Sequence, residues 1–467
     1  MKERIYAGIL RPLSVLIAAC VVIGCAGPVS VSASDAPHEM LDMATTVYED
    51  MLRLYWRGSA ETGHLMKEWG GLETDGQQYM IWVHAQMIFA FEALYDATGN
   101  QDIAKRIAAQ WAFTKKEFRR PGFFNRLGEN IQALFTALFR WEKPVFSRER
   151  ILTTPDAGPN WAVDDAGWDA MAYMTFYRFT GDKKALDYAG KLIRNSFDYW
   201  KDGDTSRGLW YDHQPPNHGG GPEARKKAVY TASLLVAALD YMRCREDPGM
   251  MADVMNIYAW IEGNLCRRGQ LSYILSPGGE AQALPVDDKL YFVEYNQERS
   301  AATPCTGPDG ADRPFDIREG GSVSALFGNM AMGVIHARLY RLTGEESYRA
   351  RALETVAALH APGSPYNVGG VYLNDRDAWT NAAFFRPWVE EVLTLDGVTQ
   401  ADRDMTTGTA KSIFANARVE GGYLGPWWSG HSESSGWRAD HTWPRQMMTS
   451  ATGAHVIMAA ALLEGMR

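Results

Sequence analysis

The stretch Tyr177-Arg-Phe-Thr180-Gly181-Asp182 closes one helix and opens another. Glycine accepts the left-handed conformation with which helices commonly end, and a charged segment after it starts the next helix. The same signal recurs as Tyr95-Asp-Ala-Thr98-Gly99 and Tyr340-Arg-Leu-Thr343-Gly344, which sets the threonines 82 and 163 residues apart, about one and two lengths of a single unit. Such a period marks stacked supersecondary units. The unit is a helical hairpin.

Apolar spacing of three and four extends the pattern in both directions. It predicts twelve helices near 37-57, 77-97, 101-118, 161-179, 182-200, 224-244, 249-265, 322-342, 345-360, 377-395, 400-417 and 445-465. The even-numbered members are apolar nearly all round, as in Gly453-Ala-His-Val-Ile-Met-Ala-Ala-Ala-Leu-Leu463, and belong inside. The odd ones, such as Gly181-Asp-Lys-Lys-Ala-Leu-Asp-Tyr-Ala-Gly-Lys191, carry charge on one face and belong outside. Six inner helices ringed by six outer ones form an all-α (α/α)6 barrel of six helical hairpins. Its single core explains how residues 34-467 can be one domain, where length alone suggests two or three.

The first 33 residues read as a targeting segment: Lys2 and Arg4 precede an apolar run from Leu13 to Ile23, too short for a permanent membrane span. The chain is therefore expected to be exported. Val22-Ile23-Gly24-Cys25 resembles a bacterial lipobox, with Cys25 as the lipid-bearing residue and membrane attachment through it, while plain secretion after cleavage near Ala33 is the alternative. Of the later cysteines, Cys266 with Cys305 would close an insertion. A formal charge of −9 without any basic block argues against nucleic acid as a partner. Asp202-Gly-Asp204-Thr-Ser206 faintly resembles a calcium loop, but its glycine falls late and His213 stands where a bidentate glutamate belongs, so no metal site is expected.

Three stretches, 119-160, 266-321 and 418-444, are long for connections, and each precedes an inner helix. Loops of this length are more often functional than idle. They gather at the rim formed by the N-termini of the inner helices, which is where a substrate cleft is expected. Trp161-Ala-Val-Asp164-Asp165-Ala-Gly-Trp168 opens the second inner helix at this rim. Paired carboxylates are what glycoside hydrolysis needs, one as nucleophile or base and one as acid. Helical neighbours splay by about 100°, so two adjacent carboxyls can sit roughly 5 to 7 Å apart, close to the separation of a retaining enzyme. The charge of one aspartate is expected to raise the pKa of the other. An aspartate pair at a helix start also caps helices that catalyse nothing. Aromatic rings able to stack on sugars stand nearby in sequence or at the same rim: Trp82, Trp161, Trp168, Trp210-Tyr211, Trp379 and Trp427-Trp428.

These residues, with Phe-Tyr177-Arg-Phe-Thr-Gly-Asp182, Gly208-Leu-Trp210-Tyr211 and Lys226-Lys227, resemble glycoside hydrolase family 76 over about 160-245. The resemblance implies an (α/α)6 barrel, endo-acting α-1,6-mannanase or related transglycosylase activity without cofactor, Asp164 as nucleophile and Asp165 as acid/base. The chain departs from the family at the fourth inner helix, where Leu326-Phe-Gly-Asn329 replaces a Tyr-Asn-Gln-Gly motif while Tyr295-Asn296-Gln297 lies upstream. It departs again at Thr380-Asn381-Ala-Ala-Phe384, which puts the substrate rather than the aspartate pair in question. His84, Lys226 and Arg445 are further rim candidates for holding an oligosaccharide or polysaccharide. His336 and His455 carry the rival reading, a sugar epimerase, isomerase or unsaturated-glycuronide hydrolase on the same barrel. A non-catalytic glycan-binding lipoprotein is the third.

Overall fold

The computed structural model describes residues 39–66, 68–69, 72–73, 81–117, 162–211, 226–266, 270–275, 281–286, 289–291, 294–296, 326–364, 366–372, 383–426, 428 and 447–466. Twelve helices run through these residues: α1 Glu39–Tyr55, α2 Ile81–Thr98, α3 Gln101–Glu117, α4 Val163–Thr180, α5 Lys183–Trp200, α6 Ala232–Cys244, α7 Pro248–Asn264, α8 Leu326–Thr343, α9 Glu346–His360, α10 Phe385–Pro387, α11 Gln400–Ser412 and α12 Met447–Gly465. α10 continues as a π-helical turn, Trp388–Val392. The even-numbered helices pack in a closed ring, α2 on α4, then α6, α8, α10, α12 and back to α2. The fold is the (α/α)6 barrel.

The three Thr-Gly signals form the same turn. Gly99, Gly181 and Gly344 are left-handed, at φ 66°, 63° and 71°. Their N–H groups donate to the carbonyls of Tyr95, Tyr177 and Tyr340 at 2.7–2.8 Å. Each threonine hydroxyl donates back into its own helix, to Leu94, Phe176 and Leu339, and accepts the N–H two residues on. One hydroxyl thus satisfies an end of each helix, and the chain reverses in three residues.

α12 and α1 make the sixth hairpin from opposite ends of the chain. They pack together, and the Glu464 carboxylate accepts the N–H groups of Met40 and Leu41 at the start of α1. A negative group there also matches the positive end of the helix dipole.

Ion pairs link each outer element to the next around the barrel. Glu61 meets Lys105, Lys115 meets Asp182, Arg194 meets Asp247, Glu262 meets Arg351, His360 meets Asp402, and Lys411 meets Glu39. The exposed pairs among them contribute about 0–1 kcal/mol each and set the register of the outer layer more than its stability, while Glu262–Arg351 and His360–Asp402 are largely buried. The lower half of the inner ring is braced by buried charges instead. Arg386 bridges Glu92, Asp96 and Glu390, and Arg178 reaches the first two. Arg338 grips Glu391 with two nitrogens and donates to the Val236 carbonyl, which joins α8, α10 and α6.

The antiparallel strand pairs lie in connections that lead from an outer helix to the next inner one, on the side away from the Thr-Gly turns. One of them changes the start of the third inner helix. Residues 226–228 form a strand with 294–296, a 3-10 turn follows at Val229–Thr231, and only then does α6 begin. Lys226 therefore lies on a strand and does not open a helix. The fifth inner helix is likewise shorter than 377-395. Of the expected Cys266–Cys305 bridge, Cys305 lies outside the described residues, and Cys266 is buried. Its sulfur takes a hydrogen bond from Arg351 at 3.0 Å.

Candidate active site

The Asp164-Asp165 pair occupies the second and third residues of α4. Ala162 ahead of it is extended, and its N–H donates to Asp165 Oδ2 at 3.1 Å. The Val163 N–H donates to the Tyr211 carbonyl at 3.2 Å, which fastens the helix head to the loop before α6. Asp164 is buried and Asp165 partly buried. Burial, and then the negative charge of Asp169, push the Asp165 carboxyl up to about 8. The charged neighbour that contributes here is Asp169, one helical turn on. Asp165 accordingly holds its proton more firmly than an ordinary aspartate.

Close packing fixes the height of the pair. α4 and α6 meet at Gly167, where an added Cβ would come within 2.6 Å of the Ser233 backbone and 2.7 Å of Leu234 N. The Ser233 hydroxyl lies 2.9 Å from the Tyr230 carbonyl and 3.3 Å from that of Asp164. Gly167→Ala is expected to force the two helices apart and to cost about 1–3 kcal/mol, which thermal unfolding would detect. An unchanged melting temperature would remove Gly167 from this role.

Beneath the pair the barrel is filled with rings. Trp168 is edge-on to Phe327 at 5.9 Å; Tyr230 is stacked on Phe327 at 4.6 Å, with Phe384 beyond it; Tyr211 meets Tyr230 edge-on at 5.5 Å. They come from the starts of four inner helices and one rim loop, and all but Tyr211 are buried in the core.

This placement divides the sequence candidates. Asp164, Asp165 and Tyr211 share the head of α4. Trp168, Trp210 and Trp428 are at most 5% exposed, so their rings belong to the core and offer no open face to a sugar. His84 is buried with Nε2 donating to the Met66 carbonyl at 2.8 Å. Trp161, Trp379, Trp427 and Arg445 lie outside the described residues, as do the side chains of Trp82 and Lys226. His336 is buried between helices, against Glu262 and the Tyr258 ring of α7. His455 accepts the Arg386 N–H through Nε2, and burial followed by the Arg386 charge pushes it down to about 3. Sequence reasoning passed over Asp169, Tyr230, Phe327 and Ser233. Asp169 had a usable signal, an acidic residue four positions after Asp165 in an otherwise apolar helix.

No family model matches the sequence, and no curated protein does. Solved structures match along nearly the whole chain. The α-1,6-mannanase GH76A of Salegentibacter sp. HEL1_6 superposes with a TM-score of 0.57 at 15% identity, covering 91% of this chain and 99% of its own. An inactive variant of that enzyme, with two consecutive aspartates changed to alanine and α-1,6-mannotetrose bound, superposes at 0.55, 15% identity and the same coverage. Dfg5 from Chaetomium thermophilum in complex with glucosamine gives 0.56 at 14% identity, over 92% of each chain. The barrel has the fold of the family 76 glycoside hydrolases.

Proposed function

We propose that the protein is a retaining glycoside hydrolase acting on α-linked mannan-type polysaccharide, in the manner of an endo-α-1,6-mannanase. The observation that carries this reading is the pair of consecutive aspartates at the head of an inner helix, where burial raises the proton affinity of Asp165. The Salegentibacter variant supports it, since changing two consecutive aspartates accompanies inactivity there while an α-1,6-linked ligand still binds.

In this reaction the Asp164 carboxylate attacks the anomeric carbon as Asp165 gives its proton to the departing glycosidic oxygen. A glycosyl ester on Asp164 results. The bared Asp165 then takes a proton from water, whose oxygen attacks the anomeric carbon and releases the sugar with its configuration retained. The environment serves both steps, since burial beside Asp169 disfavours the charged form of Asp165 and makes it eager for a proton. The partly buried ring of Tyr211 suits the less polar face of a pyranose.

The test is incubation with α-1,6-linked mannan and a panel of wall glycans, following products and anomeric form by NMR. Hydrolysis with retention is the expected outcome; inversion, or turnover that survives both Asp164→Asn and Asp165→Asn, would overturn it. An epimerase loses ground because His336 is turned towards α7 and His455 is held neutral. We further propose that residues 1–33 direct export and that Cys25 carries lipid. Palmitate labelling of the full chain is then expected to disappear in Cys25→Ala, and label retained by that variant would remove the anchor.

A further inference from the structure

Residues 289–291, in the long connection between α7 and α8, are fastened to the barrel more firmly than a connection needs. Leu290 and Tyr291 are at most 1% exposed. The Tyr291 hydroxyl donates to Glu262 of α7 and accepts from Arg351 of α9 at 2.9 Å. Its N–H donates to Asn329 Oδ1 of α8 at 2.9 Å, and its backbone bridges to Cys266. The Lys289 carbonyl accepts from Arg351 at 2.7 Å, while the Lys289 ammonium meets Glu354 at 3.0 Å. Bonds of this kind, to charged groups, are the strong ones. Lys289 itself is left-handed, at φ 60°. A lysine seldom adopts that conformation, and such strain persists where the surroundings over-determine it, often at functional sites.

What this clamp delivers comes three residues later, where 294–296 pair with 226–228 ahead of α6. Val229, next in the chain, packs on Gly328 of α8, where an added Cβ would come within 2.5 Å of its Cγ1. The Thr231 hydroxyl closes back on the Ala228 carbonyl. Tyr230 stacks on Phe327 and meets Tyr211, and the Ser233 hydroxyl lies 3.3 Å from the Asp164 carbonyl. A run of contacts thus joins the strand pair to the aspartates. Axes of packed helices lie about 8–10 Å apart, so a sugar chain seated on the head of α4 extends towards the head of α6.

We propose that the strand 294–296 walls the glycan cleft on the α6 side, and that Tyr291 is the positioning residue that fixes this wall through Glu262, Arg351 and Asn329. The wall meets sugars beyond the cleaved bond, so glycans long enough to reach it are held more tightly. This rests on the functional reading above and adds a specificity element to it.

Tyr291→Phe removes the hydroxyl and keeps the ring. Its KM on α-1,6-mannotetraose is expected to rise about 3–10-fold. Its kcat should hold within about two-fold, the signature of lost binding that ground and transition states share. A second readout needs no turnover. In Asp165→Asn protein, α-1,6-mannotetraose is expected to slow amide exchange at 294–296 as well as at the head of α4. In the free protein, Tyr291→Phe is expected to speed exchange at 294–296 and leave the head of α4 unchanged. Protection by the tetraose at α4 with none at 294–296 overturns the wall and leaves the functional reading in place. Protection of 294–296 by another wall glycan, with none by any α-mannan, overturns that reading and keeps the wall. A folded Tyr291→Phe protein with parental KM and parental exchange removes Tyr291 from the role. Should Tyr291→Phe not fold, Asn329→Ser, which releases the Tyr291 N–H, takes its place in both measurements.

Discussion

Asp165→Asn is expected to lower turnover of α-1,6-linked mannan by about 10²–10⁴-fold while raising the unfolding temperature at pH 8. The two effects have one origin. In the folded chain Asp165 is pushed up to about 8, whereas an unfolded aspartate titrates near 3.9. A group whose folded pKa is raised contributes its full stability below the unfolded value and loses it as pH rises through the folded one. The parent therefore weakens between about pH 4 and pH 8 on account of this residue. Asparagine has no proton to lose, so the variant should match the parent near pH 4 and gain on it progressively, by a few degrees at pH 8. Unfolding scans at pH 4, 6 and 8 check this. A gain of equal size at all three values would mean that the raised proton affinity is not its source. Such trade-offs are common where a site is held in a costly state for its chemistry.

Arg338→Met is expected to destabilise the barrel by about 3–5 kcal/mol. Arg338 is 9% and Glu391 6% exposed, and α8 and α10 meet through their pairing. Removal of the guanidinium strips Glu391 of its best partner and, among the described residues, leaves it Arg341 at 3.2 Å and Arg243 at 3.6 Å. It also strips the Val236 carbonyl of a donor at 2.6 Å. The double change Arg338→Met with Glu391→Leu should recover much of the loss, since a packed apolar pair can replace a buried ion pair at little cost. Denaturant unfolding of the two single variants and the double variant gives the coupling energy. Values that simply add would show that the pair is not a unit.

The hairpin repeat was legible because a Thr-Gly turn is local: the threonine, the glycine and the carbonyl four residues back all lie within one helical turn. The aspartate pair was legible as chemistry, and its position at a helix head followed from the same periodicity. The contribution of Asp169 was overlooked because only adjacency in sequence was weighed, whereas Asp169 shares a helix face with Asp165. The tryptophans were harder. Trp168 and Trp428 have the composition of sugar platforms, but whether an indole face is open depends on what arrives from other helices, here Phe327 and Phe385. The late start of α6 was hidden for a similar reason, since the strand at 226–228 exists only because 294–296 pairs with it. The bracing of the lower barrel was invisible too, as it joins Asp96 to Arg386 across 290 residues.

Five of the hairpins can assemble as soon as their own residues are available, because their two helices are neighbours in sequence. The sixth cannot. Glu464 reaches α1 across 424 residues, and α2 must wait as long for α12 along its flank. Loop closure over such a distance is entropically slow to find, and contacts so remote delay folding. A chain emerging from its N-terminus thus carries α1 and α2 with an uncovered side until α12 is made, and only then can the ring shut.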